Sequence, residues 1–165
     1  MMLKQRKGLV RKAGLRKKPS VKPKPKTKSI SQLKKEADRF FSLATRYRFA
    51  ELIKGEYVAS CITCGMSAPI KQLQCGHFMS RRFNATRFLE ENTAAQCVSC
   101  NIYHYGEQYK FGLAIDDFYG DGTAKKLQRQ AKKYYKFNRD ELLEIIHDSK
   151  EEIDFYEKKS IAKFE

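Results

Sequence analysis

The chain has 165 residues and a formal net charge of +15, from 34 lysines and arginines against 19 acids. That length suits one small domain with appendages, and no stretch approaches the roughly 18 apolar residues of a membrane span. Nothing at the start reads as a secretion signal or an amphipathic transit segment, so disulfides are not expected of the five cysteines.

The charge is concentrated at one end. Residues 1–30 hold nine lysines, three arginines and no acid, giving +12 of the +15. This arm has too little apolar surface to offset the entropy of ordering itself, and its Pro-Lys repeats predict an extended, solvated, disordered segment. Flexible cations gain most by releasing counterions from a phosphate polymer, which favours a nucleic-acid arm over a mere solubility tail or a chance nuclear-localisation-like signal.

From Ser31, a candidate cap, to about Leu52 the pattern predicts a helix. Leu33, Ala37, Phe40, Ala44 and Tyr47 recur at gaps of four and three. Such a stripe packs on a core or forms a dimer seam, the sharper alternative. Gly55 ends the helix, Tyr57–Ser60 reads as a short strand, and Lys71–Cys75 reads as the strand that delivers His77.

The informative stretch runs from Cys61 to Asn101: CITCG, then LQCGHFMSRRFNATRFLEEN, then CVSCN. Cys61/Cys64 and Cys97/Cys100 are two CxxC pairs with 32 residues between them. Each turns two thiolates toward one tetrahedral ion, and together they predict a structural Cys₄ zinc site. Cys75 reads as a buried thiol rather than a ligand. Between the knuckles stands His77, with Asn92 15 residues on and Asn101 another 9 beyond. Asn101 directly follows the last knuckle cysteine, so the knuckle would fix it at the start of a helix. A histidine ending one strand and an amide opening a helix can face each other across one divalent ion and one phosphate. In the loop SRRFNATRF, Arg81, Arg82 and Arg87 alternate with Phe83 and Phe88, and the arginines are candidate phosphate contacts.

After Asn101 a helix should carry His104 and continue through Tyr109–Tyr119 until the Gly-Asp-Gly at 120–122 breaks it. Thr123 can cap the next helix, whose apolar face is Leu127, Ala131 and Tyr134. Lys125, Lys126, Arg129, Lys132 and Lys133 crowd its other faces, either a solvated face or a second surface for a DNA backbone. Asn138 and Glu141 read as a capping pair for a last helix running to about Lys159, with the stripe Leu142, Ile146, Ser149, Ile153 and Tyr156.

The run QCGHFMSRRFNATRF, the EEN and the AQCVSCN that follow resemble the NinG (Rap) recombination endonucleases of lambdoid phages, over roughly residues 57 to 160. The CxxC-plus-Asn arrangement is also similar to the Holliday-junction resolvase endonuclease VII. The resemblance implies an α+β fold: a zinc-stapled ββα-metal (HNH, His-Me finger) core over residues 55–119, a preceding helix over 31–54 and a helical region over 120–165. It implies metal-dependent cleavage of branched DNA, in the cytoplasm (of the host cell if phage-encoded). The stripe of the last helix packs on the domain body or, as the alternative, forms a homodimer, since two symmetric cuts across a junction suit a two-fold dimer.

The site residues follow from that layout. His77 serves as general base, Asn92 steadies its loop, and Asn101 helps hold Mg²⁺ or Mn²⁺. One position departs from the pattern. Many such enzymes carry an acidic or histidine ligand immediately before the catalytic histidine, and here that residue is Gly76. Glu90, Glu91, Glu107 and His104 are the candidates to replace it. Two other readings fit the composition: a non-catalytic zinc-containing DNA-binding or packaging accessory, and an RNA-binding zinc protein of ribosomal type.

Overall fold

In the computed structural model, which describes residues 27–161, the first helix is α1 (Ile30–Arg48). Ser29, not Ser31, caps it. The Ser29 hydroxyl accepts the Gln32 amide at 3.2 Å and Gln32 Oε1 accepts the Ser29 amide at 2.8 Å, a reciprocal capping box. Of the arm expected over residues 1–30, residues 1–26 lie outside the described residues, while Ser29 already caps α1 and Ile30 begins it.

The helix stops at Arg48 rather than near Leu52. Residues Ala50–Ile53 form β1 instead, antiparallel to β2 (Glu56–Ser60). The turn decides this. Lys54 and Gly55 both take positive φ, 49° and 86°, the two-residue geometry whose twist matches a hairpin. A short strand β3 (Ser67–Pro69) completes a sheet of order β1-β2-β3. The second sheet pairs β4 (Leu73–His77) with β5 (Thr93–Cys97), with Leu73 opposite Cys97 and His77 opposite Thr93. The strand that delivers His77 therefore begins at Leu73, and His77 closes it.

The expected unbroken helix after Asn101 is interrupted. A single π-helical turn spans Ser99–Tyr103, and Tyr105, Gly106 and Glu107 follow at φ 53°, 86° and 48°. Only then does α2 (Gln108–Tyr119) begin, followed by α3 (Thr123–Ala131) and α4 (Arg139–Ile161). Thr123 does not cap α3. Gly122 holds that position, and Asp116 of α2 accepts the Ala124 amide at 2.8 Å. Because α3 ends at Ala131, Tyr134 leaves its apolar face and stands 91% exposed. The Asn138–Glu141 pair caps α4 reciprocally, at 2.9 and 2.8 Å.

These elements make an α+β fold around three buried clusters. Leu33, Ala37 and Ala44 of α1 are covered with Leu142, Ile146 and Ile153 of α4. Full burial of such aliphatic side chains contributes about 1.5–3 kcal/mol each. The α1 stripe is thus covered within the chain, and the dimer-seam alternative loses its surface. Tyr47 stacks on Tyr156 at 5.3 Å and meets Tyr57 edge-on at 4.9 Å, while the Tyr57 hydroxyl donates to the Tyr156 carbonyl at 2.6 Å. α4 is thereby tied to the first sheet as well as to α1. Among the described residues no helix is long and apolar enough to cross a membrane.

Candidate metal centre and adjoining cleft

The two knuckles meet. The sulfurs of Cys61, Cys64, Cys97 and Cys100 all lie within 4.8 Å of one another, the one such group of candidate ligands among the described residues. Cys64 and Cys97 sulfurs are 3.9 Å apart, far beyond a disulfide. A tetrahedron of Zn–S bonds of about 2.3 Å has edges of about 3.8 Å, so the spacing fits one zinc. The backbone bends to suit. Gly65 at φ 73° lets its amide reach the Cys61 carbonyl at 2.8 Å, and the Cys100 amide donates to the Cys97 sulfur at 3.4 Å. Burial opposes a thiolate at Cys61, yet bonds from the Thr63 hydroxyl and neighbouring backbone amides bring it down to about 6, whereas Cys100 is pushed up to about 12, chiefly by burial. Four cysteines are placed to hold a metal ion.

Beside this centre a cleft of about 700 Å³ opens between α1, β4 and the π-helical turn. His77 and Asn101 both line it, with Arg46, Arg81, Gln74 and Gln108. His77 Nε2 lies 3.1 Å from the Arg87 carbonyl oxygen. A carbonyl only accepts, so Nε2 carries the proton and Nδ1 keeps its lone pair. The Cys75 sulfur is 3.9 Å from Nδ1. Burial, and then the charge of Arg81, hold the imidazole down at about 4, against the pull of the Arg87 and Cys75 backbone carbonyls and the Asp38 carboxylate. His77 is therefore neutral at pH 7 by a wide margin, a weaker base than an unperturbed histidine. Cys75 is buried, which pushes its thiol up to about 11 and leaves it an inert core residue.

The amide of Asn101 is oriented by a residue that spacing did not single out. Its Nδ2 donates to Gln74 Oε1 at 2.6 Å, which leaves Asn101 Oδ1 as the free acceptor. Arg46 lies off the apolar stripe of α1, where its sequence position leaves phosphate and solvent both open, and the fold turns it into this cleft. It is anchored by the carbonyls of Ser42 at 3.1 Å, Ile70 at 2.7 Å and Leu73 at 3.3 Å. No sequence signal distinguishes Gln74; the fold brings both residues to His77.

Asn92 stays out of the cleft. It is wholly buried, accepting the Met79 amide at 2.7 Å and donating to the carbonyls of Met79 at 3.0 Å and Thr86 at 2.9 Å. Its chemistry is committed to the loop that follows His77, so it is a positioning residue and not one that touches a substrate.

The candidates for a second metal ligand also lie elsewhere. Glu90 faces Arg48 at 3.5 Å, Glu91 faces Lys126 at 3.4 Å, and Glu107 bonds His104 at 3.2 Å and Lys110 at 3.1 Å. None lines the cleft, nor does any other carboxylate among the described residues. Gly76 explains itself sterically. A Cβ there would lie 2.4 Å from Gln96 Oε1 and 3.0 Å from Phe111, so buried neighbours already occupy the space of a side chain.

The expected DNA contacts divide. Arg87 is an internal residue, paired with Asp38 at 2.5 and 2.9 Å, the two side chains 15% and 17% exposed. Its guanidinium is engaged by Asp38 within the chain. Arg81 is exposed on the cleft rim, and Arg82 is exposed with its guanidinium 4.8 Å from the Phe83 ring. Lys125, Lys126, Arg129, Lys132 and Lys133 are all exposed on α3 and just beyond it.

Fold and site together define a small basic α+β protein with a four-cysteine metal centre beside a carboxylate-free cleft. Residues 2–159 match the family model described as the bacteriophage lambda NinG protein, and the chain belongs to that family. The match takes in the basic segment and α1, well ahead of residue 57. No curated protein and no solved structure matches the chain.

Proposed function

We propose that this protein is a metal-dependent, structure-selective DNA endonuclease that cuts branched, Holliday-junction-like DNA during phage recombination. The observation that carries the reading is the placement of His77: its Nε2 is 3.1 Å from the Arg87 carbonyl, and it shares a cleft with Asn101 and two arginines. A zinc-stapled ββα-metal core is the reading we attach to the order β4, β5, knuckle and α2, supported by His77 at the end of β4 and Asn101 just after the knuckle.

In this mechanism His77 Nδ1 takes a proton from the attacking water. A phosphate seated between Arg46 and Arg81 raises the histidine toward working pH, because an anion nearby favours imidazolium. The arginines also stabilise charge growing on the phosphate. Asn101 Oδ1 is a hard oxygen donor that suits Mg²⁺ or Mn²⁺, completed by water and the substrate's own phosphate. When bound, that ion supplies charge neutralisation on the scissile phosphate and its leaving oxygen. The four-cysteine centre takes structural zinc, since four thiolates leave no open position.

A second reading, a non-catalytic zinc-containing DNA-binding or packaging accessory, is favoured by the space closed over Gly76 and by the missing carboxylate. Incubating the purified protein with supercoiled DNA, a four-way junction and a folded RNA, with and without Mg²⁺ or Mn²⁺, separates the readings. Metal-dependent nicking of the junction is expected. Tight binding without any cut supports the accessory.

A further inference from the structure

The segment after the last knuckle cysteine holds its large side chains out in water. Ile102 is 51% exposed and Tyr105 90%, and both line the cleft that contains His77. The exposure is built into the backbone. Tyr105 sits at φ 53°, a region a bulky side chain enters only at a cost of about 1–3 kcal/mol.

The surroundings hold it there. The Gly106 amide donates to the Cys100 carbonyl at 2.8 Å, and Gln96, fully buried, donates to the Gly106 carbonyl at 3.0 Å. The Tyr105 amide itself reaches the Ile102 carbonyl at 3.3 Å. The metal knuckle on one side and a buried glutamine on the other thus fix a strained loop whose result is one ring projecting beside a cationic cleft.

We propose that Tyr105, with Ile102 beside it, is a stacking platform for an unpaired base of the DNA whose phosphate lies in the cleft. The inference rests on the nucleic-acid reading above and names the feature that would be selected: a base free to leave its stack. The same cleft presents Arg46 and Arg81 and no carboxylate, so a phosphate seated there sets the adjoining nucleotide toward the ring. In a fully paired duplex that base is buried between neighbours; at a bulge, flap or branch point it is available. An aromatic face accepts any base, so the platform selects structure without selecting sequence.

The test uses full-length, zinc-loaded protein with Ca²⁺ in place of Mg²⁺, so that binding is read without cleavage. The probe is a duplex with a three-nucleotide bulge carrying 2-aminopurine, beside the same duplex fully paired. Wild type and Tyr105→Phe should quench the bulged 2-aminopurine. Tyr105→Ala should lose the quenching and bind the bulge about 5- to 100-fold more weakly, the range for one base–aromatic stack, with duplex affinity unchanged. Failure of the wild type to quench, or equal losses on bulge and duplex, overturns the platform. Because nothing is cut, a failure here is distinct from a failure of His77 as general base. Self-association through this face predicts instead that Tyr105→Ala lowers the sedimenting mass, and that result also overturns it.

Discussion

His77 Nε2 is 3.1 Å from the carbonyl oxygen of Arg87, and the guanidinium of Arg87 is held by both carboxylate oxygens of Asp38 on α1. Orientation thus passes from a helix to an ion pair to a backbone carbonyl to the imidazole. The ion pair also keeps the loop between β4 and β5 against α1, and Asn92 fastens the same loop from the other side.

Asp38→Asn removes the anionic partner of a mostly buried arginine. The loss should be about 2 kcal/mol, below the 3–5 kcal/mol of a fully buried pair because both side chains retain some contact with water. Junction affinity should stay near wild type while cleavage falls, since Arg87 reaches the chemistry only through His77. A urea melt with a parallel cleavage assay checks both.

Stability should depend on pH through His77. Its folded value of about 4 lies below the ordinary 6.5, so between these limits the unfolded chain binds the proton that the folded one excludes. Stability is therefore independent of this group above about 6.5 and falls as pH drops toward 4. In His77→Gln the decline between pH 6.5 and 4 should be shallower. Melts at unit pH intervals measure it, and superimposable curves would remove the buried, neutral imidazole from the account.

Gly76→Asp, which restores the acidic residue common before the catalytic histidine, should damage the protein rather than improve its metal binding. The new Cβ meets Gln96 Oε1 and Phe111 inside the core. Overpacking of this kind costs about 1–3 kcal/mol before the buried charge is counted. Gly76→Ala should be destabilised by the steric part alone and partly rescued by Gln96→Ala. A Gly76→Asp protein that melts like wild type and binds Mn²⁺ more tightly would contradict the closed space.

Cys100→Ser should lose the metal and the cooperative melt together, because affinity for a structural ion and folding free energy are coupled. The effect should reach the cleft, since the Cys100 carbonyl also holds Gly106. Metal analysis of the purified variant, together with its thermal melt, decides. One retained zinc with a cooperative transition would exclude the four-cysteine centre.

Local chemistry made much of this legible in advance. The CxxC spacing gave the metal centre, the period of four and three gave the faces of α1 and α4, and Asn138 with Glu141 gave a helix start. The misses share a cause: features set by backbone conformation or by distant packing. Leu52 and Ile53 fit a helix as well as a strand until Lys54 and Gly55 turn the chain back. The break at residues 104–107 places two non-glycine residues in left-handed backbone, which no propensity predicts. Arg87 looked like a phosphate contact because its partner Asp38 is 49 positions away. Gln74 and Arg46 carry no motif, and only the packing of α1 and the π-helical turn on β4 brings them to His77.

The central claim is that His77 is a general base, and single-turnover cleavage of a four-way junction by wild type and His77→Ala tests it most directly. The variant should keep its zinc, its cooperative melt and its junction affinity, because the side chain is no ligand of the four-cysteine centre and carries no charge at pH 7. Its cleavage rate should fall by about 10² to 10⁴, the usual contribution of such a base. Equal rates for the two proteins would contradict the account and leave His77 a structural histidine.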